Sequence, residues 1–234
     1  MAPHAWFLED EVGGLAPFVG PGAVCVDVGA EYGLYTWTLA GLVGPTGHVH
    51  AVEPQPAPAT LIGAVRRLLR AGHVTVHRLA LGAQGGAGVL SLPRRRLLPV
   101  HGRAFLTTGA VGLGSNAEFA HHEDVPVEVG TLDELVADLA LDRLDLVKVD
   151  IEGAEAGLLA GAHKTLESFR PVLMLELEDR HLARFDTSVA EVVDDLAGRG
   201  YAPWTWRGRW LPRHTDDRRR NVLFLPTEEG LTIP

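Results

Sequence analysis

Three acidic stretches carry the side chains most suited to chemistry. Val24-Cys25-Val26-Asp27-Val28-Gly29-Ala30-Glu31-Tyr32-Gly33 is an apolar run that enters a glycine-bearing turn. His50-Ala51-Val52-Glu53-Pro54 closes a second run on a carboxylate, and Leu146-Val147-Lys148-Val149-Asp150-Ile151-Glu152-Gly153-Ala154-Glu155 breaks from a third into a tight acidic turn. A carboxylate at a strand end can accept hydrogen bonds from sugar hydroxyls or take the proton of a reacting hydroxyl. In an open parallel sheet, ligands bind outside the carboxyl ends of the strands where strand order reverses. If the first run is the central strand, all three turns open on one cleft, with a nucleoside pocket beside acid/base groups.

The first turn narrows the cofactor. Gly29 lets the chain turn sharply, Gly33 lets the next helix close on the strand, and Asp27 and Ala30 complete the loop. Glu31 stands where a dinucleotide fingerprint needs its second glycine, and a carboxylate there repels a pyrophosphate. That disfavours NAD and FAD and favours a phosphate-free cofactor whose positive sulfonium tolerates Asp27 and Glu31, such as S-adenosylmethionine. Glu53, about twenty residues after the turn, is placed to accept both ribose hydroxyls. Ala80 and Leu81, in Leu79-Ala80-Leu81-Gly82, either border an adenine ring or form an ordinary strand end.

On the reacting side, Lys148, Asp150 and Glu152 share one parity along the strand. Asp150 is the leading base or hydroxyl-positioning group, with Glu152 second. Lys148 within an apolar strand needs a partner, and Glu176 on the following strand is the natural one. Glu155 opens the next helix, where the dipole favours a carboxylate whatever the function. Asp150, Glu176 and Glu178 are also of the type that holds magnesium, but carboxylates at strand ends are too common for a metal site to be assigned. His121-His122 lacks further zinc ligands. His121, His122 and His181 are alternative bases, each more simply a solvated surface residue.

These side chains need a scaffold. Short β-rich runs near 23–28, 48–53, 74–79, 145–150, 171–176 and 221–226, with another near 202–206, alternate with helical patterns. That is the signature of βαβ units and predicts seven strands covered by helices on both faces. Helices are expected over Leu34 to Leu42, over Ala57 to Ala71 with Gly72 as the left-handed terminator, over Ala154 to Phe169 and over Ser188 to Arg199. Thr131 and Glu134 form a capping-box pattern at another helix start. Trp204-Thr205-Trp206 with Trp210 reads as a late hairpin packed on the sheet. Ser91 to Val125, with Arg94-Arg95-Arg96 and four glycines, has no sustained period, and is expected to be a substrate-side flap or a surface insertion.

Composition sets the class. The 234 residues, 46% hydrophobic and 22% charged, suit one domain spanning 1–234. A net charge of −9 opposes nucleic acid and anionic membranes as partners. The lone Cys25 sits in an apolar run, which favours packing over nucleophilic chemistry and fits a reducing cytoplasm. Residues 1–10 lack a signal-peptide pattern, and no run is long enough to span a membrane. Nothing in these features excludes a homo-oligomer.

The stretches Asp27 through Thr36, Val52-Glu53-Pro54, Ala80-Leu81-Gly82, Thr131-Leu132-Asp133 and above all Val147 through Glu155 resemble the FkbM-type family of S-adenosylmethionine-dependent methyltransferases. Pro171 through Glu176 and Asn221-Val222-Leu223-Phe224 resemble its late strands, so the likeness spans most of residues 20–226. The Lys-x-Asp-x-Glu-Gly-x-Glu block at 148–155 is its specific part. The resemblance implies a class I methyltransferase (Rossmann-like) fold with a seven-stranded, mostly parallel sheet. It also implies O-methylation of a hydroxyl on a small molecule: a natural product, a sugar or a lipid. Two departures stand out: Glu31 occupies a position where the family leads one to expect Asn, and 91–125 has no counterpart from which an acceptor could be read. The reading from a different class is a non-catalytic nucleoside-binding or regulatory module of the same fold.

Overall fold

In the computed structural model, which describes residues 10–96 and 98–227, the apolar runs become the strands of one sheet. The reading of the N-terminal residues falls mostly outside these, as does position 97 of the 91–125 stretch. In chain order the first half comprises β1 (Val24–Val28), α1 (Leu34–Val43), β2 (His48–Val52), α2 (Pro56–Leu69), β3 (Val74–His77), β4 (Ala80–Leu81), β5 (Gly86–Arg95), β6 (Leu98–Pro99), β7 (Phe105–Leu106) and β8 (His121–Gly130). The second comprises α3 (Leu132–Asp138), β9 (Leu146–Val149), α4 (Glu155–Ala160), α5 (His163–Phe169), β10 (Val172–Glu176), α6 (Asp179–Leu182), α7 (Val189–Gly198), β11 (Tyr201–Trp206), β12 (Trp210–Pro212) and β13 (Asn221–Pro226).

The main sheet has the order β12-β11-β13-β10-β9-β1-β2-β3. Strands β3, β2, β1, β9 and β10 are parallel, whereas β13 runs antiparallel to both its neighbours and β12 antiparallel to β11. The expected seven mostly parallel strands are therefore eight in a mixed sheet. The added one arises because the chain reverses at Gly208 and pairs Trp210 with Trp206. That hairpin is the one read from its tryptophans, and Trp210 Nε1 donates to the Gly14 carbonyl at 2.7 Å.

Alternate residues of each strand feed opposite layers, which is why the strands read as continuous apolar runs. Val26, Val147 and Leu173 pack with residues of α3, α4, α5 and α7. Cys25, Leu146 and Met174 pack on the other side with α1 residues such as Leu39. Cys25 is buried, and burial pushes its thiol far up, in keeping with a packing role. No helix among the described residues is long and apolar enough to cross a membrane.

Ser91 to Val125 is not irregular throughout. β5 and β8 form a long antiparallel hairpin that heads a second sheet, ordered β4-β8-β5-β6 with β7 on β5. Two helix limits also differ from expectation. α2 ends on Arg70, itself in the left-handed region at φ 54°, before Gly72 is reached. The pattern from Ala154 to Phe169 divides into α4 and α5, because the Asp133 carboxylate accepts the Lys164 and Thr165 N–H groups and starts a new helix there.

The capping box at α3 is formed from both sides, Thr131 Oγ1 accepting from the Glu134 N–H at 3.1 Å and Glu134 accepting from the Thr131 N–H at 2.9 Å. Since α3 carries Asp133, loss of the cap reaches two helices. Thr131→Ala is expected to lower unfolding stability by about 0.5–2 kcal/mol in urea titrations. An unchanged midpoint would show the cap to be idle.

Candidate active site

Strand order reverses at β1, with β2 and β3 to one side and β9 onward to the other. The turns that follow β1, β2 and β9 surround a cavity of about 280 Å³, closed by residues 101–106, the turn that leads into β7 and β7 itself. The turns fit only because two positions lack a side chain. A Cβ on Gly29, at φ 76°, would lie 1.8 Å from the Asp150 carbonyl oxygen, and one on Gly153, at φ 109°, 2.3 Å from that of His181.

Glu53 lies on the cavity wall, buried, with Oε2 accepting the Glu31 N–H at 2.9 Å and Oε1 the Gln55 N–H at 2.8 Å. It ties the turns after β1 and β2 together while each oxygen keeps a second lone pair. Burial pushes its carboxyl up to about 7, against those two hydrogen bonds. Gly29, Glu31, Ala80 and Leu81 also line the cavity. Asp27, Ala30 and Gly33 do not, and instead build the loop. Asp27 is buried, accepts from Thr36 Oγ1 at 2.5 Å and is pushed up to about 6, chiefly by burial. Ala30 packs with Ala51 and Ile62, and Gly33 caps α1 at φ 87°.

Asp150 and Glu152 both line the cavity, at the end of β9 and in the turn beyond it. The Asp150 side chain is 39% exposed and therefore open to a ligand. Glu152, in the left-handed region at φ 56°, is hemmed in: its Oε2 lies 3.1 Å from His181 Nδ1, 3.7 Å from Arg184 and 3.9 Å from Arg103. Burial and the Asp150 charge raise its carboxyl to about 8 despite those arginines. Glu155 does more than complement a helix dipole. It is buried, and its Oε1 accepts the N–H groups of Gly153 and Ile151 at 3.1 and 3.3 Å, which shapes the acidic turn.

Several expectations need correction. Lys148 pairs with Asp150 at 3.7 Å and lies 4.7 Å from the Tyr35 ring centre. Glu176 pairs instead with Arg220 at 3.0 Å, because Arg220 immediately precedes β13 and reaches across the sheet end. Arg220 also meets Glu178 at 3.4 Å, and Arg180 holds Glu178 at 2.6 Å. Guanidiniums thus engage two of the three carboxylates that are of the magnesium-holding type. Among the described residues no three His, Cys, Asp or Glu side chains form a metal-holding group. His181 is not a surface residue: it is buried beside Glu152 and pushed down to about 4, mainly by burial. His121 and His122 start β8 and do not line the cavity.

The sequence reading missed Gln55, His101, Arg103 and Arg184. Gln55 and His101 exchange two contacts, with His101 Nδ1 2.6 Å from Gln55 Oε1 and Gln55 Nε2 donating to the His101 carbonyl at 3.2 Å. Arg184 donates to the Glu152 carbonyl at 2.6 Å and to Asn116, which also holds Arg103. The 101–119 segment is thus fastened on both the Glu53 and the Glu152 sides of the cavity. The cue was an arginine and an asparagine among glycines, too common a pattern to single out.

Glu155 is pushed up to about 7, chiefly by burial. A carboxyl raised on folding contributes stability that is fully present below its unfolded value near 4.5 and lost as pH rises toward 7. Glu155→Gln keeps the acceptor oxygen without that ionisation. It should therefore melt progressively higher relative to wild type as pH rises through this window; a constant difference would contradict the linkage.

Comparison with known proteins places the chain in a family. Residues 27–203 match the methyltransferase FkbM domain family. The chain is 28% identical to 31-O-demethyl-FK506 methyltransferase FkbM of Streptomyces tacrolimicus, over 77% of this chain and 73% of that one. It is 25% identical to Methyltransferase 1 of Beauveria bassiana, over 89% and 84%. In structure it resembles a methyltransferase FkbM from Methylobacillus flagellatus, with a TM-score of 0.54, 19% identity and 87% of this chain covered, although it spans only 43% of that longer chain. A Streptococcus mutans protein solved in complex with SAH shares the fold at a TM-score of 0.50 and 10% identity, over 92% and 93%. With the family model covering most of its length, the chain belongs to the FkbM family of methyltransferases.

Proposed function

We propose that this protein moves the methyl group of S-adenosylmethionine to a hydroxyl of a small molecule such as a natural product, a sugar or a lipid. The observation that carries the reading is Glu53: a buried carboxylate fixed by two backbone N–H groups, with lone pairs to spare, on the wall of a cavity that Asp150 also lines. Its position after the second strand suits ribose hydroxyls, and Leu79, Ala80 and Leu81 offer an apolar surface for the adenine. Glu31 and Asp150 put negative charge where a sulfonium would be welcome and a pyrophosphate would not.

When bound, S-adenosylmethionine supplies an electrophilic methyl group on sulfur. The residues must then hold the acceptor oxygen in line and take its proton. Asp150 is the carboxylate open enough to reach the acceptor. Lys148 holds it from behind and Gly29 closes on its backbone, so its place is fixed before the acceptor enters. Glu152, His181 and Arg184 form the wall beside it. Support for oxygen as the acceptor atom comes from the Streptomyces relative, whose name specifies a 31-O-demethyl substrate.

Two outcomes follow. Calorimetry is expected to show S-adenosylhomocysteine binding to wild type, at least tenfold weaker binding to Glu53→Ala, and none of NAD; NAD binding without a response to S-adenosylhomocysteine would sink the reading. In methyl-transfer assays, Asp150→Asn is expected to lower kcat by about 10²-fold or more, the low end for a positioned proton acceptor, and EDTA to leave the wild-type rate unchanged. Full turnover in Asp150→Asn would remove Asp150 from the chemistry, and EDTA-sensitive activity restored by magnesium would bring a metal into it.

A further inference from the structure

Resting on the reading of the cavity as a site for S-adenosylmethionine, we propose that Asp150 and Glu176 are a joint proton acceptor governed by the charge on the cofactor's sulfur. The pair releases its shared proton when a sulfonium enters and takes the hydroxyl proton when methyl transfer discharges that sulfonium. Glu176 thereby joins the reacting side, whereas its sequence position had suggested an ion pair with Lys148 or a magnesium ligand.

Geometry carries the case. The register Leu175↔Val149 sets Glu176 beside Asp150 at the ends of adjacent parallel strands. Both carboxyls line the same cavity. Two carboxyls crowded into one site resist ionising together, which favours one proton held between them. Around the pair, Lys148 lies 3.7 Å from Asp150 and Arg220 3.0 Å from Glu176, with Arg220 shared by Glu178 and Arg180 turned to Glu178. Asp27, Glu31, Glu152 and Glu155 all feel the Asp150 charge, and His181 is engaged by Glu152.

Charge balance points the same way. Among the described residues, the carboxyls of Glu31, Glu53, Asp150, Glu152, Glu176 and Glu178 line the cavity against the guanidiniums of Arg103, Arg180 and Arg220. Burial and the Asp150 charge hold the Glu176 carboxyl above the ordinary carboxylate range. A Glu176 carboxyl held up in this way favours a proton on the pair when no cation is bound. A cation brought into this acidic cleft favours the ionised form and drives the proton out. During transfer the C–S bond breaks with its electron pair going to sulfur, the C–O bond forms, and the O–H bond breaks with its proton going to the pair. The loss of positive charge at sulfur makes the pair more basic at that moment.

The test compares ligands that differ in charge at one atom. S-adenosylmethionine, S-adenosylhomocysteine and sinefungin, which carries an ammonium near the sulfonium position and no transferable methyl, are titrated by calorimetry near pH 7 in two buffers of different ionisation enthalpy. The two cationic ligands are expected to release up to about one proton more than S-adenosylhomocysteine. Their affinity relative to it should rise with pH, toward a limit of about tenfold per pH unit. Glu176→Gln is expected to remove the excess release, with S-adenosylhomocysteine titrated into the same variant to report whether the site is folded; Asp150→Asn serves if it is not. Equal proton release by all three ligands would overturn the proposal, and an excess that survives in both variants would overturn the assignment to this pair. Failure of S-adenosylhomocysteine to bind wild type would instead defeat the cofactor reading beneath it.

Discussion

The contact of Gly29 with the carbonyl of Asp150 is where the turn after the first strand meets the turn after the ninth, and a side chain at Gly29 would overlap that oxygen outright. Parallel pairing of β1 with β9 brings the two turns together, since Asp27 faces Lys148 and Val28 faces Val149. Asp150 continues the ladder by donating its N–H to the Val28 carbonyl at 3.0 Å. Everything proposed for the donor side hangs on the first turn, and everything for the acceptor side on the second. Their separation is therefore fixed by backbone, not by flexible side chains. Preorganisation of this kind lets a displacement reaction proceed from a bound geometry close to in-line.

The same packing imposes an electrostatic cost. Asp27, Glu53, Glu152 and Glu155 are buried or nearly so, and burial raises every one of them. Backbone N–H groups and buried cations offset part of this: Glu53 and Glu155 each accept two N–H groups, and Lys148, itself 1% exposed, sits between the Tyr35 ring and Asp150. A cationic ligand would relieve the remainder. This gives a physical reason for Glu31 in the glycine turn: it adds to a field suited to a sulfonium and unsuited to phosphate.

Much of this was legible beforehand because the central strands are buried on both faces and cannot be anything but apolar runs. Turn residues at their ends then locate the cleft. The block at 148–155 announced itself through a lysine and three acids in an otherwise apolar setting. What escaped notice did so for identifiable reasons. β5 and β8 contain Gly86, Gly88, Pro93 and Pro126, which read as turn residues, and they outweigh the short alternation of Val125, Val127 and Val129 that faces the core of the second sheet. The partner of Lys148 was misread because nearness across the sheet was weighed above nearness along the chain. His181 looked like a surface residue because burial beside Glu152 depends on Arg184 and the 101–119 segment folding over it, contacts that no local pattern encodes.

The central claim is that the donor's nucleoside rests on Glu53 and its sulfur faces Asp150. A crystal structure of the protein with S-adenosylhomocysteine tests this directly. The account predicts both ribose hydroxyls within about 3.2 Å of the Glu53 carboxylate, the adenine against Ala80 and Leu81, and the sulfur turned toward Asp150 and Glu176. A ligand seated with its ribose away from Glu53, or with its sulfur on the far side of the cavity from Asp150, would contradict it.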